Sequence, residues 1–180
     1  DYGPEHPVPT LGGPIMHRDY AGPHDRRPVE RRDDVLIYTS EPLEKDLEVT
    51  GPVSLTLYAS SGARDTDFTA TLVDVYPDGR AIHVCEGIRR ARFRESIEAP
   101  TLIEPGRVYE YTIDMWETSN AFKAGHRLRV EVTSSNFPRF DRNPNTGNTP
   151  GMDAELQVAE QTVYHGGEYP SHVTLPVIPR

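Results

Sequence analysis

The sequence predicts an all-β sandwich of the jelly-roll type, and three observations predict it. Its apolar runs are short, rich in β-branched and aromatic residues, and separated by turn residues at short intervals. Two of those runs alternate strictly. In "RVYEYTIDMW", Tyr109, Tyr111, Ile113 and Met115 fall on one face, with Glu110, Thr112 and Asp114 on the other; Leu128, Val130 and Val132 likewise oppose Arg129 and Glu131. The third observation is compositional: 17 prolines and 14 glycines in 180 residues suit many turns, and no segment carries a 3.6-residue apolar stripe.

In chain order, residues 1–34 hold prolines, glycines and charged clusters with no apolar period, and read as an extended linker or arm. Val8, Leu11, Ile15 and Met16 are apolar residues able to pin it to a neighbouring surface. The sandwich domain is expected over 35–180. Its eight candidate strands are "VLIYTS", "VSLTLYAS", "DFTATLVDVY", "AIHVCEGIRRARFR", "RVYEYTIDMW", "RLRVEVTSS", "ELQVAEQTVY" and "HVTLPVI". "YPDGR" at 76–80 supplies hairpin chemistry, and "EPGR" and "KAGH" introduce the strands that follow them.

Bulk properties exclude several functions. A net charge of −9 gives no basis for counterion release, so nucleic acid is not an expected partner. A single cysteine, Cys85, excludes an internal disulfide framework. No apolar run is long enough to cross a bilayer and no signal-like segment occurs, so a soluble, cytoplasmic chain without membrane partners is expected. The chain begins at Asp1 in a proline-rich stretch, as an excised piece of something longer would.

The search for chemistry finds no complete set. No G-x-S-x-G turn is present, and Ser60 and Ser61 before Gly62 read as a strand end. Cys85 lies two residues after His83, which on a regular strand places both on one face, yet a buried apolar cysteine is the simpler reading. The seven histidines are scattered without metal-ligand spacing. Asp65 and Asp67 in "ARDTDF" are the one calcium-type pair, with turn capping as the competing role. Arg90, Arg92 and Arg94 form a stripe read as a solvated or interdomain face. No cofactor, metal or catalytic residue is predicted.

Two long runs, "VLIYTSEPLEKDLEVTGPVSLTLYASSGARDTDFTATLVDVYPDGRAIHVCEGIRRARFR" and "YEYTIDMWETSNAFKAGHRLRVEVTSSNFPRFDRNPNTG", closely resemble the carboxy-terminal domain of the X-Pro dipeptidyl-peptidase, cocaine esterase and acylase family, the CocE/NonD hydrolases. The likeness extends from about Pro9, through "PVPTLGG", to the end. It implies a galactose-binding-like jelly roll that follows an α/β-hydrolase domain, with its Ser, Asp and His triad, and a helical cap. Those parts are absent here, so no catalytic residue carries over. What carries over is a domain that packs on the hydrolase and helps shape its active-site surroundings.

On that reading the docking candidates are Trp116, Asn120 and Phe122 in "WETSNAFKAGH", and Asn136, Phe137, Arg139, Phe140, Asp141 and Arg142 in "SSNFPRFDRNPNTG". Phe137 and Phe140 flank Pro138 and Arg139 as two aromatic anchors, and Asp141, Arg139 and Arg142 are available for orienting ion pairs. A loop that folds back to plug its own sandwich is the competing reading for 134–147. Other readings are an autonomous carbohydrate-binding module and a small independent esterase. The exposed apolar loops of such a domain taken alone would also favour self-association.

Overall fold

Along Asp67–Val75 (β3) the even-numbered Phe68, Ala70 and Leu72 turn to one side and the odd-numbered Thr69, Thr71 and Val73 to the other, as the two-residue strand period requires. Every residue of β3 is nonetheless buried, so this strand lies in a sheet covered on both faces. The structure, a computed structural model, describes residues 1–179. The remaining strands are β1 (Leu36–Thr39), β2 (Leu47–Ser61), β4 (Ala81–Arg90), β5 (Tyr109–Phe122), β6 (Arg127–Thr133), β7 (Gln161–Tyr164) and β8 (His172–Thr174). All pairings between them are antiparallel. One sheet has the order β1-β6-β3-β4; the other has β5-β2-β7, with β8 also paired to β2. The result is a two-sheet β-sandwich, and its eight strands fall on the eight predicted runs.

The core lies between the sheets. Val53, Leu55, Leu57 and Ala59 of β2 and Tyr111, Ile113 and Met115 of β5 face Phe68, Ala70 and Leu72 of β3, Cys85 of β4 and Val132 of β6. Phe68 and Tyr111 meet across the gap with ring centroids 4.8 Å apart. At one side of the sandwich the sheets nearly touch, because a Cβ on Gly87 of β4 would sit 1.9 Å from the Asp114 carbonyl oxygen of β5.

Two β-bulges break the alternation. Between Ser54↔Asp114 and Pro52↔Glu117, β5 spends three steps against two of β2, so β5 holds an extra residue there. Trp116 has φ +67° in this stretch, and its amide donates to Asp114 Oδ1 at 2.9 Å. Past it the inward parity changes from odd to even, which turns Phe122 into the core. Between Leu72↔Cys85 and Val73↔His83, β4 carries Val84 as its extra residue. Cys85 therefore faces the core and His83 the opposite side of the sheet, contrary to the same-face expectation from their spacing. Burial, with a smaller push from Glu86, raises the Cys85 thiol to about 12, which removes it as a nucleophile.

The arm is extended but not free. Residues 1–34 run across the outer face of the β1-β6-β3-β4 sheet, held by bridges at Tyr2↔Ala159, Pro9↔Phe137 and Asp25↔Ile82, and contain a short helix, α1 (Arg27–Glu30). Val8 packs with Val29 and Val35, with Leu11 beside them, whereas Met16 projects into solvent at a hairpin closed by Gly13↔Gly22. Beneath the arm the sheet face mixes an apolar cluster, Val73, Val75 and Ala81, with the polar Thr71, Glu86 and Glu131. Arg26 clasps Glu131 of β6 at 2.6 Å through Nη2 and donates from Nη1 to the Leu11 carbonyl at 2.6 Å. Among the described residues no helix is long and apolar enough to cross a membrane.

Candidate docking face

The segment 134–147 leaves β6 and is tied down from within. Asn136 Nδ2 donates to Glu86 Oε2 at 2.8 Å, and Arg139 Nε lies 3.0 Å from Glu86 Oε1 as an ion pair set off hydrogen-bond alignment. Burial works to raise the Glu86 carboxyl, but His83, Arg139 and Arg26 outweigh it and hold it below the usual carboxylate range. Farther along, the Asn143 amide donates to Asp65 Oδ2 at 3.0 Å and to Asp67 Oδ1 at 2.8 Å. Those carboxylates also receive Arg92 Nε at 2.7 Å and Arg90 Nε at 2.8 Å. Asn145, with φ +68°, completes the turn by donating to the Gln157 carbonyl at 2.7 Å.

This network corrects one expectation and bears on the two roles left open for a carboxylate pair. The stripe of Arg90, Arg92 and Arg94 is neither a solvated nor a single face: β4 ends at Arg90, and residues 91–93 form a 3-10 turn. Arg90 and Arg92 neutralise buried carboxylates, while Arg94 lies over the Tyr109 ring at 4.4 Å. Asp65 and Asp67 therefore already have cationic partners, and a guanidinium beside each opposes a second positive charge. Among the described residues, no group of three or more His, Cys, Asp or Glu is placed to hold a metal.

The predicted docking residues divide into two sets. Phe122 is 0% exposed and belongs to the core, because the bulge at Trp116 reverses its facing. Asn136 is buried on Glu86, and Arg139 stacks on Phe140 with 5.0 Å from guanidinium to ring. Asn120 is half-buried opposite Val49. Asp141 and Arg142 are exposed but do not pair with each other: Arg142 Nη1 donates to the Pro4 carbonyl at 3.0 Å, and the Asp141 carbonyl accepts from Arg90 at 3.3 Å. Their partners lie in the arm and on β4, where the chain's return path places them. Phe137 is 41% exposed and Trp116 is 64% exposed. The Phe137 backbone is held at both ends, its amide donating to the Val8 carbonyl at 2.9 Å and its carbonyl accepting from Thr10 at 2.7 Å; the Phe137–Pro138 peptide is cis. The loop thus plugs its own sandwich and presents one aromatic ring outward.

Sequence reasoning missed the arm's part in this face. Gly13, at φ +84°, crosses directly over the buried pair on β4: a Cβ there would lie 2.7 Å from Glu86 Oε1 and 3.1 Å from His83 Nε2. Only glycine combines that conformation with that approach. The adjacent glycines in "TLGG" were the available signal.

Comparison with known proteins agrees with this architecture. Residues 9–174 match the family model for the X-Pro dipeptidyl-peptidase C-terminal non-catalytic domain. Cocaine esterase from Rhodococcus sp. (strain MB1 Bresler) is 53% identical over 182 residues, covering 99% of this chain and 32% of that protein. An aminopeptidase from the marine sediment archaeon Thaumarchaeota archaeon superposes with a TM-score of 0.89 at 32% identity, over 98% of this chain and 32% of its own. An α-amino acid ester hydrolase does so with a TM-score of 0.86 at 34% identity, over 97% of this chain and 31% of its own. The chain thus spans about a third of the length of these relatives. It belongs to the X-Pro dipeptidyl-peptidase C-terminal non-catalytic domain family.

Proposed function

We propose that this domain docks onto the α/β-hydrolase and cap portions of its parent chain through the face bearing Phe137 and Trp116, and so braces the surroundings of an active site that cleaves an ester or an X-Pro peptide bond. One observation carries the reading: two large aromatics are left in solvent although the backbone of each is hydrogen-bonded in place. A ring held rigidly in water gains about 1.5–3 kcal/mol when fully covered, and its backbone has little entropy left to lose on docking. The chemistry of the parent is inferred from the named activities of its relatives.

The test is Phe137→Ser in the intact parent. We expect thermal unfolding to separate into two transitions and kcat/KM to fall, with the triad untouched. A single unshifted transition with unaltered kinetics would overturn the reading. Self-association of the domain alone is a further part of the proposal, supported by the short edge strand β1, where Leu36, Ile37 and Tyr38 are all exposed.

A further inference from the structure

Both β-bulges of the sandwich open into one place. Val84, the extra residue of β4, and Trp116, at the bulge of β5, line the same cleft of about 610 Å³, which the Gly13–Gly22 hairpin of the arm closes on its far side. Bulges re-aim side chains, and here they send His83 and Trp116 away from the core. Trp116 also holds a left-handed backbone that a bulky residue seldom adopts unless the surroundings fix it. Asp114 does fix it, by accepting the Trp116 amide.

The cleft has a definite electrostatic character. Of the two carboxylates in its lining, Glu86 is buried and paired with Arg139, which leaves Glu117 as the charge open to the cleft; the lining holds neither a lysine nor an arginine. Glu117 makes no ion pair among the described residues. His83 is 5% exposed, yet its Nε2 has no hydrogen-bond partner and sits 3.4 Å from Glu86 Oε2. Pro14, Pro23, Val84 and Met115 make the remaining wall largely apolar. An exposed indole face beside the Glu117 carboxylate and an apolar channel is suited to a positive group on an apolar stem.

We propose that this cleft seats a basic side chain, the guanidinium of an arginine or the ammonium of a lysine, contributed by the catalytic portion of the parent chain. The cation lies over the Trp116 ring with Glu117 at its side, and its methylene stem lies along the prolines of the arm. The arm hairpin, Trp116 and the hydrolase are thereby locked in one arrangement. This inference rests on the docking reading above and names the chemistry of one contact within it.

The test uses the intact parent enzyme and hydroxyl-radical footprinting, with Met152, which is 81% exposed, as the internal reference. Trp116 should be protected in the native enzyme, and its oxidation should rise about fivefold in Glu117→Lys, the loss expected when a cation–π and carboxylate contact is replaced by repulsion. Glu117→Gln should give a smaller rise and guards against a folding defect in the lysine variant. Carbodiimide should couple Glu117 to a lysine outside this domain; if the cation is an arginine, it should resist phenylglyoxal in the native enzyme and react in Glu117→Lys. Trp116 oxidised equally in native and Glu117→Lys enzyme overturns the inference, as does protection with no basic residue identified by either reagent. Footprinting of Phe137 in the same samples reports on docking separately: if Phe137 is protected while Trp116 is not, the docking reading stands and the basic contact falls.

Discussion

On the inner face of the β1-β6-β3-β4 sheet, Phe68, Ala70, Leu72, Cys85 and Val132 meet the second sheet, apolar against apolar. On the outer face of the same strands, Glu86, Thr71 and Glu131 stand side by side across β4, β3 and β6, and they meet the arm and the loop at 134–147. Both faces are dry, and the physical cause differs. The inner face is stabilised by area removed from water, a non-directional gain. The outer face is held by charge neutralisation: Arg26 reaches Glu131 from the arm and Arg139 reaches Glu86 from the loop. Burying a carboxylate without such a partner is strongly unfavourable, so the two arginines oblige the arm and loop to stay closed. A face of this kind fixes which segments cover it, whereas an apolar face specifies shape and volume.

The sharpest way to probe the inner face is Phe122→Ala. It should cost about 3–5 kcal/mol, read as a lower urea midpoint with an unchanged slope, and a change below about 1 kcal/mol would return Phe122 to the surface. On the outer face, Arg26→Ala leaves Glu131 buried and unpaired and should cost about 3 kcal/mol. The double variant Arg26→Met with Glu131→Leu should recover most of that loss; if it is as unstable as the single variant, the Arg26 hydrogen bond to the Leu11 carbonyl rather than charge neutralisation is what matters. Where the two sheets touch, Gly87→Ala drives a methyl into the Asp114 carbonyl and should cost about 1–3 kcal/mol by thermal unfolding.

The two faces should also differ in their response to acid. Glu86 has a folded pKa below its unfolded one, so its contribution is fully present above the ordinary carboxylate range and is lost as pH falls through the folded value. Stability measured downward from pH 6 should therefore decline with a slope that Glu86→Gln reduces and that Leu72→Ala leaves unchanged. The smallest effect is predicted for Phe137→Ala in the 180-residue chain, within about 0.5 kcal/mol of the parent sequence. A larger loss there would mean that the ring already supports its own sandwich.

The number and order of the strands were legible because periodicity and turn chemistry are local. "RVYEYTIDMW" and "RLRVEV" show their inner faces directly, and both strands lie where the alternation puts them. The bulges were not legible. A single extra residue is a property of the pairing between two strands, and nothing in "DMWETSNAF" or "IHVCE" alone shows which residue is left over. That is why Phe122 read as a docking residue and His83 and Cys85 as a same-face pair. The loop residues Asn136, Arg139 and Asn143 were recognisable as special, but their partners Glu86, Asp65 and Asp67 lie 50 to 78 positions away from them in the chain.

The sequence by itself determined that this chain forms short antiparallel strands around an apolar interior, and through its family likeness that it is an X-Pro dipeptidyl-peptidase C-terminal domain. Both follow from information carried within a few consecutive residues or along the whole run of the chain. Only the tertiary structure decided which aromatics stay in water, which charges are neutralised, and that the arm is an integral wall of the domain. Those outcomes depend on distances between segments remote in sequence. Burial makes such distances decisive, since a carboxylate without its arginine, or a methyl where Gly13 passes, is excluded by energies far larger than any local preference.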